Sequence, residues 1–150
     1  MKPWVVVCTK TSRLTGEEIG QQILAIENWP AFEGYGPLPG IAEAHFETRT
    51  PDVIGTRIRV QNRDGSTHVE EIVEWKPAER ITLEMKEFSR PVSLFASRFI
   101  ERWEFEPSGD GTFIRRSIEL QHKSFFGWLV LGMISPFLKR AINRHLQQVA

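Results

Sequence analysis

The last quarter of the chain restricts its fold most. Two alternating segments, Arg98–Glu106 and Phe113–His122, flank the turn Pro107–Gly111 and run directly into a long amphipathic stretch, Phe125–Val149. Alternation with period two marks half-buried strands, and an apolar stripe of period 3.6 marks a helix with one buried face. Trp128, Leu131, Ile134, Leu138, Ile142, His145 and Val149 form that stripe, with Lys139, Arg140, Arg144 and Gln148 on the other side. A stripe this long needs a broad apolar surface to cover it, and the hairpin before it is the nearest one.

The rest of the chain supplies more sheet. Trp4–Ser12 reads as a strand through its β-branched run. Thr15 and Glu18 have capping-box spacing and start a helix over about Gly16–Glu27. Trp29 and Pro30 end it, because the residue before proline avoids helical geometry; Ala31–Tyr35 is expected to add one further turn. Ile41–Thr50, Thr56–Asn62, Thr67–Trp75 and Arg80–Phe88 read as strands, with turn signals at Asp52–Gly55, Arg63–Ser66 and Lys76–Glu79. Pro136 is expected to kink the last helix rather than to start a new one capped by Ser135. This order predicts an α+β fold, a curved antiparallel sheet of six to seven strands wrapped around the C-terminal helix, as one domain over residues 1–150.

Composition excludes some functions. The chain carries 19 Lys and Arg against 19 Asp and Glu, and zero net charge argues against a nucleic-acid partner. Cys8 is the one cysteine, so no internal disulfide forms and a reducing cytosol is the simplest compartment. In its apolar strand the thiol is expected to be buried and inert. The N-terminal apolar run is too short for a signal peptide. The apolar stretch Phe125–Leu138 falls short of the roughly 20 residues that span a bilayer, and a core helix is the better reading. No two histidines have ligand spacing, and there is no paired-cysteine pattern, so no metal is expected. The glycines at 34–40 and 127–132 fit no dinucleotide or phosphate loop, and no cofactor is implied. The serines lack a nucleophile-elbow setting.

Hairpin parity assigns faces. If Phe105 pairs near Ile114, then Trp103 lies opposite Arg116, Glu101 opposite Ile118 and Phe99 opposite Leu120. That face is mostly apolar and should look inward, taking Glu101 and Arg116 with it. On the neighbouring hairpin, Val69, Glu71, Val73 and Trp75 share a face with Ile81, Leu83 and Met85, which places Glu71 inside as well. Ala44, Phe46, Ile58 and Val60 point the same way. A buried charge needs a partner, water or a ligand. Arg116 can pair with Glu101 and stack on Trp103, either as a structural ion pair or as the polar anchor of an apolar cavity.

The candidate cavity walls are then Phe46, Ile58, Trp75, Leu83, Met85, Phe99, Trp103 and Ile118 from the sheet. The helix contributes Ile134, Leu138, Ile142 and His145. Glu101, Arg116 and Glu71 are the candidates for chemistry. His145 is expected as a hydrogen-bonded core histidine that could also face the cavity, whereas His45 and His68 fall on outer faces and His122 near the surface. Tyr35, Pro37, Leu38 and Pro39 read either as a flap at the mouth or as plain loop. Phe125, Phe126, Trp128, Leu129 and Val130 form an aromatic cluster expected to be buried, with membrane contact as the alternative.

Three segments carry a resemblance: Ile26–Phe32 with its tryptophan after the first helix, Gly55–Val60, and the hairpin Glu101–Thr112. Together with the order of elements they resemble the START-like superfamily of helix-grip proteins, which includes polyketide cyclase/dehydrase-like and lipid-transfer domains. The resemblance implies a cavity between sheet and C-terminal helix that binds a small hydrophobic or amphipathic molecule of lipid, polyketide or isoprenoid type. The alternative it implies is a cyclase or dehydratase that uses a cavity glutamate and arginine. A third reading is an interaction module that meets a membrane through Phe125–Leu138.

Overall fold

The computed structural model describes residues Met1–Ala150. The chain runs β1 (Trp4–Ser12), α1 (Gly16–Leu24), a 3-10 turn (Ile26–Ala31), β2 (Gly34–Tyr35), β3 (Leu38–Pro39) and β4 (Ile41–Thr48). It continues with β5 (Arg57–Asn62), β6 (Thr67–Lys76), β7 (Arg80–Lys86), a 3-10 turn (Val92–Leu94), β8 (Ala96–Ser108), β9 (Gly111–His122) and α2 (Phe125–Val149). Seven strands form one antiparallel sheet in the order β1-β9-β8-β7-β6-β5-β4, and β2 with β3 makes a separate small hairpin. This is the helix-grip arrangement, with α2 lying across the sheet's concave face.

Local chemistry accounts for the ends of the elements. The Thr15 hydroxyl accepts from the Glu18 amide at 3.1 Å while the Glu18 carboxylate accepts from the Thr15 amide at 3.1 Å, which satisfies two donors left open at the start of α1. The helix stops at Leu24, earlier than the spacing suggests. Residues 26–31 tighten into 3-10 geometry, with the Trp29 indole N–H donating to the Ile23 carbonyl at 2.9 Å. The further turn expected over Ala31–Tyr35 is absent, because Gly34 and Tyr35 pair with Pro39 and Leu38 instead. Helix α2 is continuous through Pro136. Proline cannot donate to the Gly132 carbonyl, and the Ser135 hydroxyl does so instead at 2.9 Å.

Both ends of α2 are fastened to β1. Trp4 and Trp128 stack at 4.9 Å; the Trp4 indole N–H donates to the Trp128 carbonyl, and that of Trp128 to the Lys2 carbonyl. Gly132 makes the approach possible, since a Cβ there would lie 2.7 Å from the Trp4 ring. At the far end the Ser12 hydroxyl donates to the Ala150 carbonyl at 2.6 Å, and the Lys10 ammonium to that of Gln147 at 3.1 Å.

The register of β8 and β9 is the one read from parity: Phe105 faces Ile114, Trp103 faces Arg116, Glu101 faces Ile118 and Phe99 faces Leu120. The register of β6 is not. Ile72 pairs with Leu83 and Glu74 with Thr82, so Val73 is an unpaired bulge residue. The bulge shifts parity along the strand. Ile72 and Glu70 point inward opposite Leu83 and Met85, Val73 turns out to solvent, and Glu71 points outward to Arg57 and Lys86. Bulges at Ala42, Glu47 and Ser97 further curl the sheet.

Ile58, Val60, Ile72, Ile81, Leu83, Ile114, Ile118 and Leu120 cover the concave face, and Leu131, Ile142 and Leu146 of α2 meet them. The aromatic cluster at the start of α2, expected to be buried, is so only in part, with Trp128 and Val130 half-buried. Phe125 and Phe126 are 60% and 64% exposed and Met133 73%, because only one side of the helix faces the sheet. By length and composition alone α2 is apolar enough to cross a membrane, and here it sits in the grip of the sheet.

Candidate functional site

The space between α2 and the sheet is not filled. A cavity of about 600 Å³ lies there, with mostly apolar walls. Leu83 and Met85 of β7, Phe99 and Trp103 of β8, and Ile118 of β9 form its floor. Ile134, Leu138 and Ile142 of α2 form its roof. Trp29 and Phe32 close one side, and Phe88, Val92 and Phe95 another. Pro37, Leu38 and Pro39 of the β2–β3 hairpin stand at the rim, held by the Tyr35 hydroxyl, which accepts from Arg140 at 3.0 Å.

One polar group of three residues sits in the wall where β8, β9 and α2 meet. The Arg116 guanidinium donates from Nε and Nη2 to Glu101 Oε2, both at 2.8 Å. Its Nη1 donates to His145 Nδ1 at 2.9 Å, and its plane lies 4.3 Å from the Trp103 ring centroid. Glu101 is 4% exposed and Arg116 6%, so the pair is desolvated and holds together by mutual contact. Burial pushes the Glu101 carboxyl above the usual range, against the pull of Arg116, and the nearby Glu70 pushes it the same way as burial. Burial, aided by the Arg116 charge, drives the His145 imidazole down to about 3, so it is neutral. Because Nδ1 accepts from Arg116, the proton of the neutral ring sits on Nε2, which has no partner in the protein.

A second polar group comes from β6. His68 Nε2 lies 3.0 Å from Glu70 Oε2, and its Nδ1 lies 3.4 Å from the Asn62 amide nitrogen. The Asn62 amide can only donate, so Nδ1 accepts and Nε2–H donates to Glu70. Glu70 is 5% exposed, and its second oxygen has no hydrogen-bond donor in the protein.

Of the residues expected in the walls, the fold brings Leu83, Met85, Phe99, Glu101, Trp103, Arg116, Ile118, Ile134, Leu138, Ile142 and His145 to one cavity. Four lie elsewhere. Ile58 is sealed in the core, Phe46 packs at its margin under Arg49, and Trp75 lies beneath Gly20 of α1. Glu71 is on the outer surface for the reason given by the bulge. The same bulge brings in two residues that parity had excluded: His68, expected outside, and Glu70. The signal was present in the sequence, since Ile72 and Trp75 are apolar three positions apart, a spacing that a regular strand cannot bury on one face. His45 is exposed as expected, whereas His122 is only half-exposed, with Nδ1 buried and unpartnered.

No curated protein sequence matches this chain. Solved structures of the same fold do. A protein from Thermus thermophilus superposes with a TM-score of 0.71 at 16% identity, over 97% of this chain and 94% of that one. A START superfamily protein from Mycobacterium smegmatis gives 0.64 at 16% identity, over 97% and 99%. The major latex-like protein 151 of Panax ginseng gives 0.59 at 14% identity, over 97% and 98%. At such identities these likenesses speak for the fold. The sequence model of the family described as polyketide cyclase / dehydrase and lipid transport matches residues 4–150, and the chain belongs to that family.

Proposed function

We propose that this protein binds a small hydrophobic or amphipathic molecule, of lipid, polyketide or isoprenoid type, between the sheet and α2. The observation that carries the reading is the cavity itself. About 600 Å³ lies in the range of natural ligand sites, and its apolar walls converge on a few placed polar groups. A merely structural interior would close to native packing density, because each void forfeits contacts along its lining. Titration with the neutral fluorophore N-phenyl-1-naphthylamine tests this. Saturable, one-to-one enhancement lost in Ile118→Trp, which fills the floor, supports the reading. No enhancement by the folded parent protein overturns it.

A second reading, proton transfer of the cyclase or dehydratase type, draws on Glu101. Its carboxyl is pushed up by burial and lies beside Arg116, which would orient a carbonyl or steady an enolate. Glu71 takes no part, since it faces solvent on the outer side of the sheet. In this reading Glu101→Gln abolishes turnover of a bound polyketide while the fluorophore still binds with unchanged affinity. A variant that retains full turnover ends it.

A further inference from the structure

The charges around the cavity are unequal. Glu70, Glu101 and, at the rim, Asp64 are acidic, while Arg116 is the one Lys or Arg in the lining. Its Nε and Nη2 are committed to Glu101, its Nη1 to His145, and one face of its guanidinium to Trp103. A carboxylate or phosphate entering the space would meet a cation whose charge Glu101 already matches, with one N–H left on each of Nη1 and Nη2. It would also lie beside two buried carboxyl groups, where the low dielectric magnifies like-charge repulsion. Other groups lack protein partners too. Glu70 offers one acceptor oxygen, held in place from its other side by His68, and His145 offers Nε2–H.

We propose that the cavity selects an amphiphile whose polar end is a protonated amine, which donates to the free oxygen of Glu70, and that it discriminates against the same chain ending in a carboxylate. This rests on the binding reading above and names the class of ligand. The apolar walls receive the chain, and the amine restores the charge balance that Arg116 alone does not. The neutral state of His145 supports the assignment, since the imidazole adds no positive charge to attract an anion. Asp64 at the rim, kept ionised by its hydrogen bonds from Ser66, favours a cation at the mouth too.

The test is displacement of N-phenyl-1-naphthylamine from the whole protein at pH 7.5 by three probes of equal chain length, each below its micellar concentration: dodecylamine, dodecanol and dodecanoate. A charged hydrogen bond of this kind implies that dodecylamine displaces the fluorophore at concentrations about tenfold or more below dodecanoate, with dodecanol between them. In Glu70→Gln the amine's advantage over the acid should shrink by about tenfold while dodecanol changes little. Dodecanoate displacing as well as the amine in the parent protein overturns the inference, whatever the variant does, and leaves the binding reading standing. An amine preference that survives unchanged in a folded Glu70→Gln overturns the assignment to Glu70. Failure of the fluorophore itself to bind removes the binding reading and this inference with it.

Discussion

The two faces of the sheet use the same side chains to opposite effect. On the outer face Arg57 reaches Glu47 at 3.1 Å, Glu71 at 3.3 Å and Glu87, while Lys86 holds Glu71 at 2.9 Å and Arg59 holds Glu47 at 2.8 Å. These groups remain partly in water, and most of the charges have more than one partner. On the inner face one guanidinium and one carboxylate meet at 2.8 Å, nearly sealed from solvent, with a neutral histidine hydrogen-bonded to the guanidinium. Partner number is high where each pair is weak and low where each pair is strong. Water is the difference: outside, it replaces a lost partner, whereas inside nothing does.

Breaking the inner pair is the sharpest trial of that contrast. Arg116→Leu should destabilise by about 3–5 kcal/mol in urea denaturation, because it leaves the Glu101 carboxyl buried beside Glu70 with no cation. The double replacement Arg116→Leu with Glu101→Leu should recover most of that loss. A loss below about 1 kcal/mol for the single variant would put the inner pair on the same footing as the outer ones.

The next effect is in pH. His145 is at about 3 in the folded chain and near 6.5 when unfolded, so between these values the unfolded state binds the extra proton. Stability should therefore fall as pH drops below 6.5, by up to about 1.4 kcal/mol per unit for this one group. His145→Gln should flatten the decline between pH 6.5 and 5, read from urea midpoints. Glu101 works in the other direction. Its raised carboxyl keeps a proton that the unfolded chain has released, so its contribution fades as pH rises through the folded value. The difference between parent and variant isolates the imidazole.

The outer face should respond least. Arg57→Gln should lower stability by about 1 kcal/mol or less, and 0.5 M salt should shrink that further while leaving the Arg116 effect in place. Smallest of all is Glu74, whose carboxyl Arg80 holds down at about 2. It favours the fold above the usual carboxylate range, and that contribution disappears as pH falls through about 2. Because the Arg80 side chain is 44% exposed and its pair with Glu74 is screened by water, Glu74→Gln should shift the urea midpoint only slightly at pH 7 and hardly at all at pH 2. A large salt-insensitive loss in either outer variant would undo the contrast.

What could be read in advance follows from how local the determinant is. The β8–β9 register was legible because the turn before Gly111 and twelve alternating residues fix one another within a single hairpin. Trp103, Glu101 and Arg116 were therefore legible as neighbours on one inward face, and the apolar stripe of α2 allowed His145 to face them. Glu70 and His68 were not, since a single unpaired valine at 73 reverses the parity of everything before it, and its presence depends on how β7 docks. The walls contributed by Trp29, Phe32 and Phe95 come from segments without a repeat, where alternation says nothing, and Phe88 lies past the end of its strand, which stops at Lys86 rather than at Phe88. The exposure of Phe125 and Phe126 is not legible in the sequence, because hydrophobicity alone does not tell a helix how wide its partner surface is.

Strand β1 has its sheet partner in β9 and its clamps in α2, segments made after every other strand of the sheet. During synthesis its valines can find no native neighbour until Gly111 and the residues beyond have left the ribosome, a delay of about ten seconds at ordinary translation rates. Until then the nascent chain carries an unprotected sticky edge, and closing that late, distant contact is what turns a string of hairpins into a finished protein.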